Sequence, residues 1–318
     1  MTVFLPNEGT LFSRIRHWSF LILLLGLAAA ASSSARAETL VIGAVAKDVK
    51  DELQDLMPLA EYLERRLAPS GIEKVDILIL PTAARMSMAF RDGKVHLYFD
   101  SPLPAAKVAR DGGAVPMLRR WRKGLAEYWS EIIVRSELAI RSLDDLRGHV
   151  IAFEDPDSTS GHLLPRAMLL THGLDLEVLA GTESDFDRSK VGVLVTLGDR
   201  ASILSLLSGR VSAIATDPHH VRAIERERPG AIRSIARYIT VPRQVVMRAS
   251  TMPEPLAREI ADILVGMVQS EEGQRVLRSF GKTDRFDAFP QGIEATFEPI
   301  QAQLRILDPD GSSPRSVK

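Results

Sequence analysis

Three consecutive hydroxyl side chains, Ser158, Thr159 and Ser160, precede Gly161 in the run Asp155-Pro156-Asp157-Ser158-Thr159-Ser160-Gly161. A β-branched apolar run at 149–153 lies before them, and a helix-like run at 163–171 follows. The hydroxyls therefore fall where a helix should begin. A helix start carries unpaired backbone N–H groups and the positive end of the helix dipole, so it favours an anion. Ser and Thr hydroxyls add donors without adding charge. Together they form a chemistry for holding a small tetrahedral oxyanion reversibly. The plainer role is that Ser158 or Ser160 is an N-cap. A hydrolytic reading would pair Ser158 or Ser160 with His162, but no Gly-x-Ser-x-Gly elbow and no cysteine are present. These residues point to binding and not to catalysis.

Other polar groups are less specific. Asp100-Ser101 ends an apolar run at 95–99. Arg119-Arg120-Trp121-Arg122-Lys123 is the densest basic cluster. It could aim a guanidinium at phosphoryl oxygens, or it could be a solvated turn. Trp121 and Trp129 could line a cleft or simply pack. His219-His220 resembles a metal pair only superficially, because adjacent helix residues face different directions. The sequence contains no cysteine, which removes disulfides and thiolate chemistry. No cofactor or metal is expected.

The elements that must position these groups alternate between strand and helix. Strands are expected at 39–46, 75–80 and 95–99, with helices at 53–67, 82–90 and 104–110 between and after them. Extended runs at 115–121 and 127–135 follow, joined by a turn at Lys123-Gly124, and then a short capped helix at 142–148. Alternation resumes with strands at 149–154, 191–197 and 211–215 and helices at 162–172, 200–208 and 218–228. The final third is helical. Two successive α/β units without a flexible linker point to two lobes, each with a mostly parallel sheet and helices on its faces. Ligands in such sheets bind beyond the carboxyl ends of strands. Both the 158–161 turn and Ser101 lie there.

The chain has 318 residues, a formal net charge of −1 and no long basic run, which argues against nucleic acid as a partner. Arg14, Arg16 and His17 precede an apolar stretch at 18–31, and Ala35-Arg36-Ala37 offers a cleavage site. Residues 1–37 therefore read as a secretory signal peptide, cleaved or retained as an anchor. The polar tail at 308–318 reads as disordered.

With these residues in view, the chain resembles the periplasmic phosphate-, phosphite- and phosphonate-binding proteins of ATP-driven (ABC) importers, the phosphonate-binding type. The resemblance runs from about Thr39 to Pro290, and is most specific at 151–165 (IAFEDPDSTSGHLLP). Supporting stretches are Gly93-Lys94-Val95, Ser101-Pro102-Leu103, Glu127-Tyr128-Trp129-Ser130 and Ser270-Glu271-Glu272-Gly273-Gln274. It implies a two-lobed type II, Venus-flytrap fold, with lobe 1 at 38–134 plus 241–307 and lobe 2 at 135–240. It also implies that Ser158, Thr159 and Ser160 hold phosphoryl oxygens and that Tyr128 faces the cleft. A second family tyrosine would fall near Ala83, with Arg85 close by. Asp199 stands where a histidine often precedes a helix, or else caps that helix. His219 and Arg243 replace acids that hold a ligand amine in relatives. Acid-to-base exchange disfavours an ammonium and favours a second anionic or neutral group. The implied protein is a monomer in the periplasm that closes about strands near 134–136 and 238–242. It passes a small oxyanion to the membrane permease of an importer. Reporting to a membrane signalling partner, or binding a non-phosphorus anion such as a sulfonate, are the alternatives.

Overall fold

The computed structural model describes residues 38–309 except 183 and 197. The expected signal peptide and nearly all of the polar tail lie outside the described residues. In chain order the first elements are β1 (Glu38–Val45), α1 (Val49–Leu67), β2 (Ile72–Leu80), α2 (Ala83–Arg91), β3 (Leu97–Asp100), α3 (Pro102–Gly112) and β4 (Ala114–Arg122). There follow β5 (Glu127–Tyr128), β6 (Glu131–Arg135), β7 (Val150–Phe153), α4 (Leu164–Thr171), β8 (Leu176–Val178), β9 (Val191–Val195) and α5 (Asp199–Leu207). The chain continues through β10 (Ala213–Thr216), α6 (Pro218–Glu227), β11 (Ile232–Arg237), β12 (Val241–Pro242) and β13 (Gln244–Ala249). It closes with α7 (Glu254–Gly266), α8 (Glu271–Ser279), β14 (Thr283–Asp287) and α9 (Ile293–Leu307).

Two six-stranded sheets result, ordered β14-β4-β13-β3-β1-β2 and β11-β6-β10-β7-β9-β8. The expectation of mostly parallel sheets holds in the second, where β7–β9, β8–β9 and β7–β10 are parallel. It is corrected in the first, which is mixed: β1–β3 is parallel, but β13 runs against β3 and β4, and β14 runs against β4. The cause is chain return. Strands β3 and β4 keep one sense, as a βαβ rhythm requires, and β13 comes back from the second sheet to insert between them. In the second sheet β6, arriving from the first, inserts antiparallel between β10 and β11.

The crossings lie at β5 and β12, which pair with each other as a two-stranded ladder, Val241 opposite Tyr128. Residues 131–134, assigned to lobe 1 from the sequence, therefore pair within the second sheet. Helix α9 packs on α3 and α4, and Tyr238 donates to Gln303 Oε1 at 2.8 Å.

The alternation along β6 shows how both faces of the second sheet are covered. Ile132 and Val134 enter one apolar cluster with Ile151 and Phe153, and Ile133 enters the other with Ala152 and Ile214. In the first unit α1 starts at Asp48, whose carboxylate accepts from the N–H of Lys50 and Asp51, and buries Leu56, Leu59, Leu63 and Leu67. Among the described residues, no helix is long and apolar enough to cross a membrane.

Candidate functional site

A cavity of about 500 Å³ is lined by groups from both sheets and from the crossing ladder. Ser158, Thr159 and Ser160 line it together with Ser101, Tyr128, Asp199 and Arg243. Arg85 and His219 do not: Arg85 is exposed on α2, and His219 is half-buried outside the lining.

Strand β7 ends in a buried segment, and the chain then turns through residues 154–158 into a single π-type turn, Thr159–Leu163, continuous with α4. The helix thus begins at Thr159, three residues earlier than the apolar spacing predicts. The three hydroxyls have separate tasks. Ser158 is the cap: its Oγ accepts from the Gly161 N–H at 3.1 Å and donates to Glu154 Oε2 at 2.9 Å. Thr159 Oγ1 accepts from the Leu103 N–H at 3.3 Å, linking the turn to α3 beside the first sheet. The Ser160 carbonyl accepts from Ser130 Oγ at 2.6 Å, and Ser160 lines the cavity. The N–H groups of Thr159 and Ser160 lead the helix, where no preceding turn supplies an acceptor.

Glu154 lies directly under this turn and is only 7 % exposed. A Cβ on Gly161 would stand 2.2 Å from Glu154 Cδ, so glycine is what admits the carboxyl. Burial pushes the Glu154 carboxyl up to about 9, and the neighbouring Asp199 carboxyl adds to the rise. Its Oε1 is buried without a donor among the described residues. Two carboxylates cannot bond to each other, but a proton on Glu154 turns the contact with Asp199 into an O–H···O bond. Burial and the facing Asp199 carboxyl thus both favour the protonated form of Glu154, which lessens the negative charge beneath the turn.

Asp199 is the first residue of α5 and not its cap, a place taken by Gly198 at φ 119°. Its carboxylate faces Glu154, and lies 3.5 Å from His220 Nδ1. The expected histidine is thus corrected by one position, since one helical residue turns the side chain by about 100°. His220 lines the cavity beside Asp217, at 3.2 Å from Oδ1. The Asp217 carboxylate at this distance raises the His220 imidazole above its usual value. Asp217 also caps α6 through the N–H groups of His219 and His220. Burial alone would push the Asp217 carboxyl up, but His220 and Arg243 outweigh it and hold the group well below the usual range.

Arg243 stacks over Tyr128 with its guanidinium 4.5 Å from the ring centre, and approaches Asp217 at 3.6 Å. Burial pushes the Tyr128 phenol up to about 12 against the pull of Arg243, so it remains a neutral donor. Asp100, at the end of β3, is raised to about 6 by burial, although Tyr98 and both the N–H and hydroxyl of Ser101 donate to it. The Ser101 hydroxyl is thereby committed within its own strand end.

The basic run divides along β4. Arg119 is tied to Asp287 and Glu127, and Trp121 to Asp287, all away from the cavity. Arg122 and Lys123 line it. Trp129 bonds Glu131 and lies under Arg237. The sequence pattern did not single out Glu154, Asp217 or Gln244, and it named His220 only beside His219 as a superficial metal pair. A signal existed for Asp217, since Asp before Pro at a strand end marks a helix cap.

Four contacts tie first-sheet elements to the 155–159 loop. Lys47 pairs with Asp155, and Lys107 Nζ lies 3.3 Å from Asp157 Oδ1. The Ala83 N–H donates to Asp157 Oδ2 at 3.4 Å, and the Leu103 N–H donates to Thr159 as above.

Comparison with known proteins gives one family. The family described as "ABC transporter, phosphonate, periplasmic substrate-binding protein" matches residues 42–290. The phosphate-import protein PhnD of Mycolicibacterium smegmatis is 27 % identical over 181 residues, 55 % of this chain and 54 % of that protein. The chain thus spans about half the length of this curated relative. Among solved structures, XAC2383 from Xanthomonas citri bound to chloride ion is 27 % identical with a TM-score of 0.79, covering 85 % of this chain and 99 % of that one. The same protein bound to ATP gives 26 %, 0.78, 85 % and 98 %. PhnD1 from Prochlorococcus marinus in complex with methylphosphonate, at 16 % identity and a TM-score of 0.63 over 86 % and 99 % of the two chains, shows the shared type II fold alone.

Proposed function

This chain belongs to the periplasmic substrate-binding proteins of phosphonate ABC transporters, and from that premise we propose that it captures a small phosphorus oxyanion. Phosphate, phosphite or an alkylphosphonate would be held in the cavity and delivered to a membrane permease of an importer. The observation that carries this reading is the helix start at Ser158–Ser160, which lines the cavity and whose Thr159 and Ser160 N–H groups have no acceptor among the described residues. Hydrogen bonds from such groups to an ion are worth ~1.5–3 kcal/mol each, more than bonds between neutral partners. Neutral Tyr128 and cationic Arg243 stand on the facing ladder and supply a further donor and a positive charge. The carboxyl of Glu154 beneath the turn, raised by burial and Asp199, favours its neutral form and so opposes the ligand less than an ionised acid would.

The two sheets are the two lobes of the fold, and the β5–β12 ladder is the hinge between them. Rotation about this ladder opens the cavity, and the contacts of Lys47, Ala83, Leu103 and Lys107 with the 155–159 loop latch it shut. The protein acts in the periplasm as a monomer, and only the latched form presents both lobes to the permease.

A thermal-shift series tests this reading. Protein stripped by unfolding and refolding is heated with phosphate, phosphite, methylphosphonate, sulfate or methanesulfonate. A ligand at 100 times its dissociation constant adds ~2.7 kcal/mol and raises the melting point. At least one phosphorus oxyanion should do so. A rise with the sulfur anions alone would replace the proposed ligand class.

A further inference from the structure

The Ser158 turn occupies one wall of the cavity, and the opposite chemistry of the β4 end is not used by a single oxyanion. Arg120 is 4 % exposed, yet no carboxylate forms a salt bridge with it among the described residues. Its partners are neutral: Thr283 Oγ1 at 2.7 Å, the Phe280 carbonyl at 2.8 Å, Gln244 Oε1, and the Phe280 ring at 3.6 Å from the guanidinium. Arg122 Nε donates to the Gly281 carbonyl at 2.8 Å, and Lys123 follows it at the cavity edge. Neither has a carboxylate within salt-bridge reach among the described residues. Acids act on these cations only through space: Glu52 and Asp55 on both arginines, Asp100 on Arg122, and Asp217 and Asp199 on Lys123. A buried cation left without a counter-charge is costly, so this corner holds a positive potential that an anion would relieve.

Arg120 also fixes an amide. A guanidinium has donors only, so the end of Gln244 that meets it must be oxygen. The Nε2 end of Gln244 is then the end left to donate. Gln244 is 8 % exposed and lines the cavity, and Nε2 has no acceptor recorded among the described residues. Arg122, Lys123 and the Gln244 amide together form a set of donors matched to a planar or tetrahedral oxyanion. Space agrees with this. One water takes ~30 Å³ of liquid, so a cavity of 500 Å³ holds roughly seventeen water-sized groups, about three times the heavy atoms of a bare phosphorus oxyanion.

We propose that the Arg122–Gln244 corner is a second oxyanion subsite, and that the ligand is a phosphorus oxyanion carrying a second oxyanion, either a carboxylate or another phosphoryl group. The proposal rests on the phosphorus-oxyanion reading of the Ser158 turn. Arg120 acts as a positioning residue that orients Gln244 and adds charge behind it.

Calorimetric titration of the stripped full chain with methylphosphonate, phosphonoacetate, methylenediphosphonate and 2-aminoethylphosphonate tests it. Phosphonoacetate or methylenediphosphonate should bind at least tenfold tighter than methylphosphonate. The tighter of the two identifies the second group as carboxylate or phosphoryl. Arg122→Gln should weaken that ligand at least tenfold more than it weakens methylphosphonate, and Arg122→Lys, which keeps the charge, should recover part of the difference. Equal losses for both ligands, or 2-aminoethylphosphonate binding tightest, would overturn the second subsite while leaving the phosphorus-oxyanion reading in place. If none of the four binds, the second subsite is overturned, and the phosphorus-oxyanion reading fails with it only if phosphate and phosphite, titrated beside them, also do not bind.

Discussion

Replacing Glu154 by Gln tests whether the acid under the turn is neutral. Gln keeps the shape of a protonated Glu: its oxygen can accept from Ser158 Oγ and its NH₂ can donate to Asp199, but it cannot ionise. The groups that face Glu154 are Ser158 and Gly161 from the turn, Asp199 from α5 and Asp217 from the end of β10. The sign follows from the raised value of about 9. Below it the carboxyl is neutral and anion binding is complete. Above it a negative charge appears beside the ligand, and affinity falls. Two unit charges 4 Å apart at an effective dielectric of 20 repel by ~4 kcal/mol, so the bound ligand keeps the proton on Glu154. Affinity should then fall with the protonated fraction, by roughly tenfold between about pH 8 and about pH 10. Titration at both pH values, wild type against Glu154→Gln, cancels ionisation of the ligand and of Lys123. The wild-type-to-variant affinity ratio should stay near one at the lower pH and drop roughly tenfold at the higher. A ratio that does not change with pH, or a variant that binds tenfold tighter at the lower pH, would refute a neutral Glu154.

Other outcomes follow from the same geometry. Gly161→Ala places a Cβ 2.5 Å from Glu154 Oε2, and should cost ~1–3 kcal/mol in urea unfolding as an overpacked site. Glu154→Ala in the same chain should recover most of that loss, and no recovery would mean that the strain lies elsewhere. Asp155→Ala with Asp157→Ala removes the latch to Lys47 and Lys107. Partly exposed pairs are worth ~0.2–1 kcal/mol each, so affinity should fall by roughly twofold to thirtyfold and small-angle scattering should show a larger ligand-free particle. An unchanged radius would argue against the latch.

The parts of this fold that were legible in the sequence are those where one period dominates. Strand β7 is a continuous apolar run between turn residues, and α1 shows its buried leucines at helical spacing after Asp48. Strand β14 was not legible because TDRFD buries only Thr283 and Phe286. In α9 the spacing of Phe297, Ile300 and Leu304 is helical, but Pro299 speaks locally for a break. The packing of α9 against α3 and α4 overrides it. Of the expected crossings, the one near 238–242 contains β12, while β5 lies before 134–136; both strands are two residues long and only their mutual pairing defines them. At the site, the Ser158 turn could be read because a cap and an anion site share one local pattern. The acids could not. Glu154 follows a strand as a solvent-facing residue would, and only the close approach of Gly161 and Asp199 shows that it is buried. His219 and His220 differ by a single helical step that only the Asp217 cap resolves.

The claim that the helix start at Ser158–Gly161 is where a phosphorus oxyanion binds is tested most directly by one titration. Phosphate, phosphite and methylphosphonate are titrated into stripped wild type and into Ser158→Ala/Ser160→Ala, with the melting points of both proteins recorded beside them. The double change removes the free Ser160 hydroxyl and the Ser158 cap that orders the turn. With ~1.5–3 kcal/mol for a bond to an ion and ~1.4 kcal/mol per tenfold, the account predicts saturable one-site binding to the wild type and a loss of more than tenfold in the variant. Equal affinity in the two proteins, with the variant folded, would contradict it.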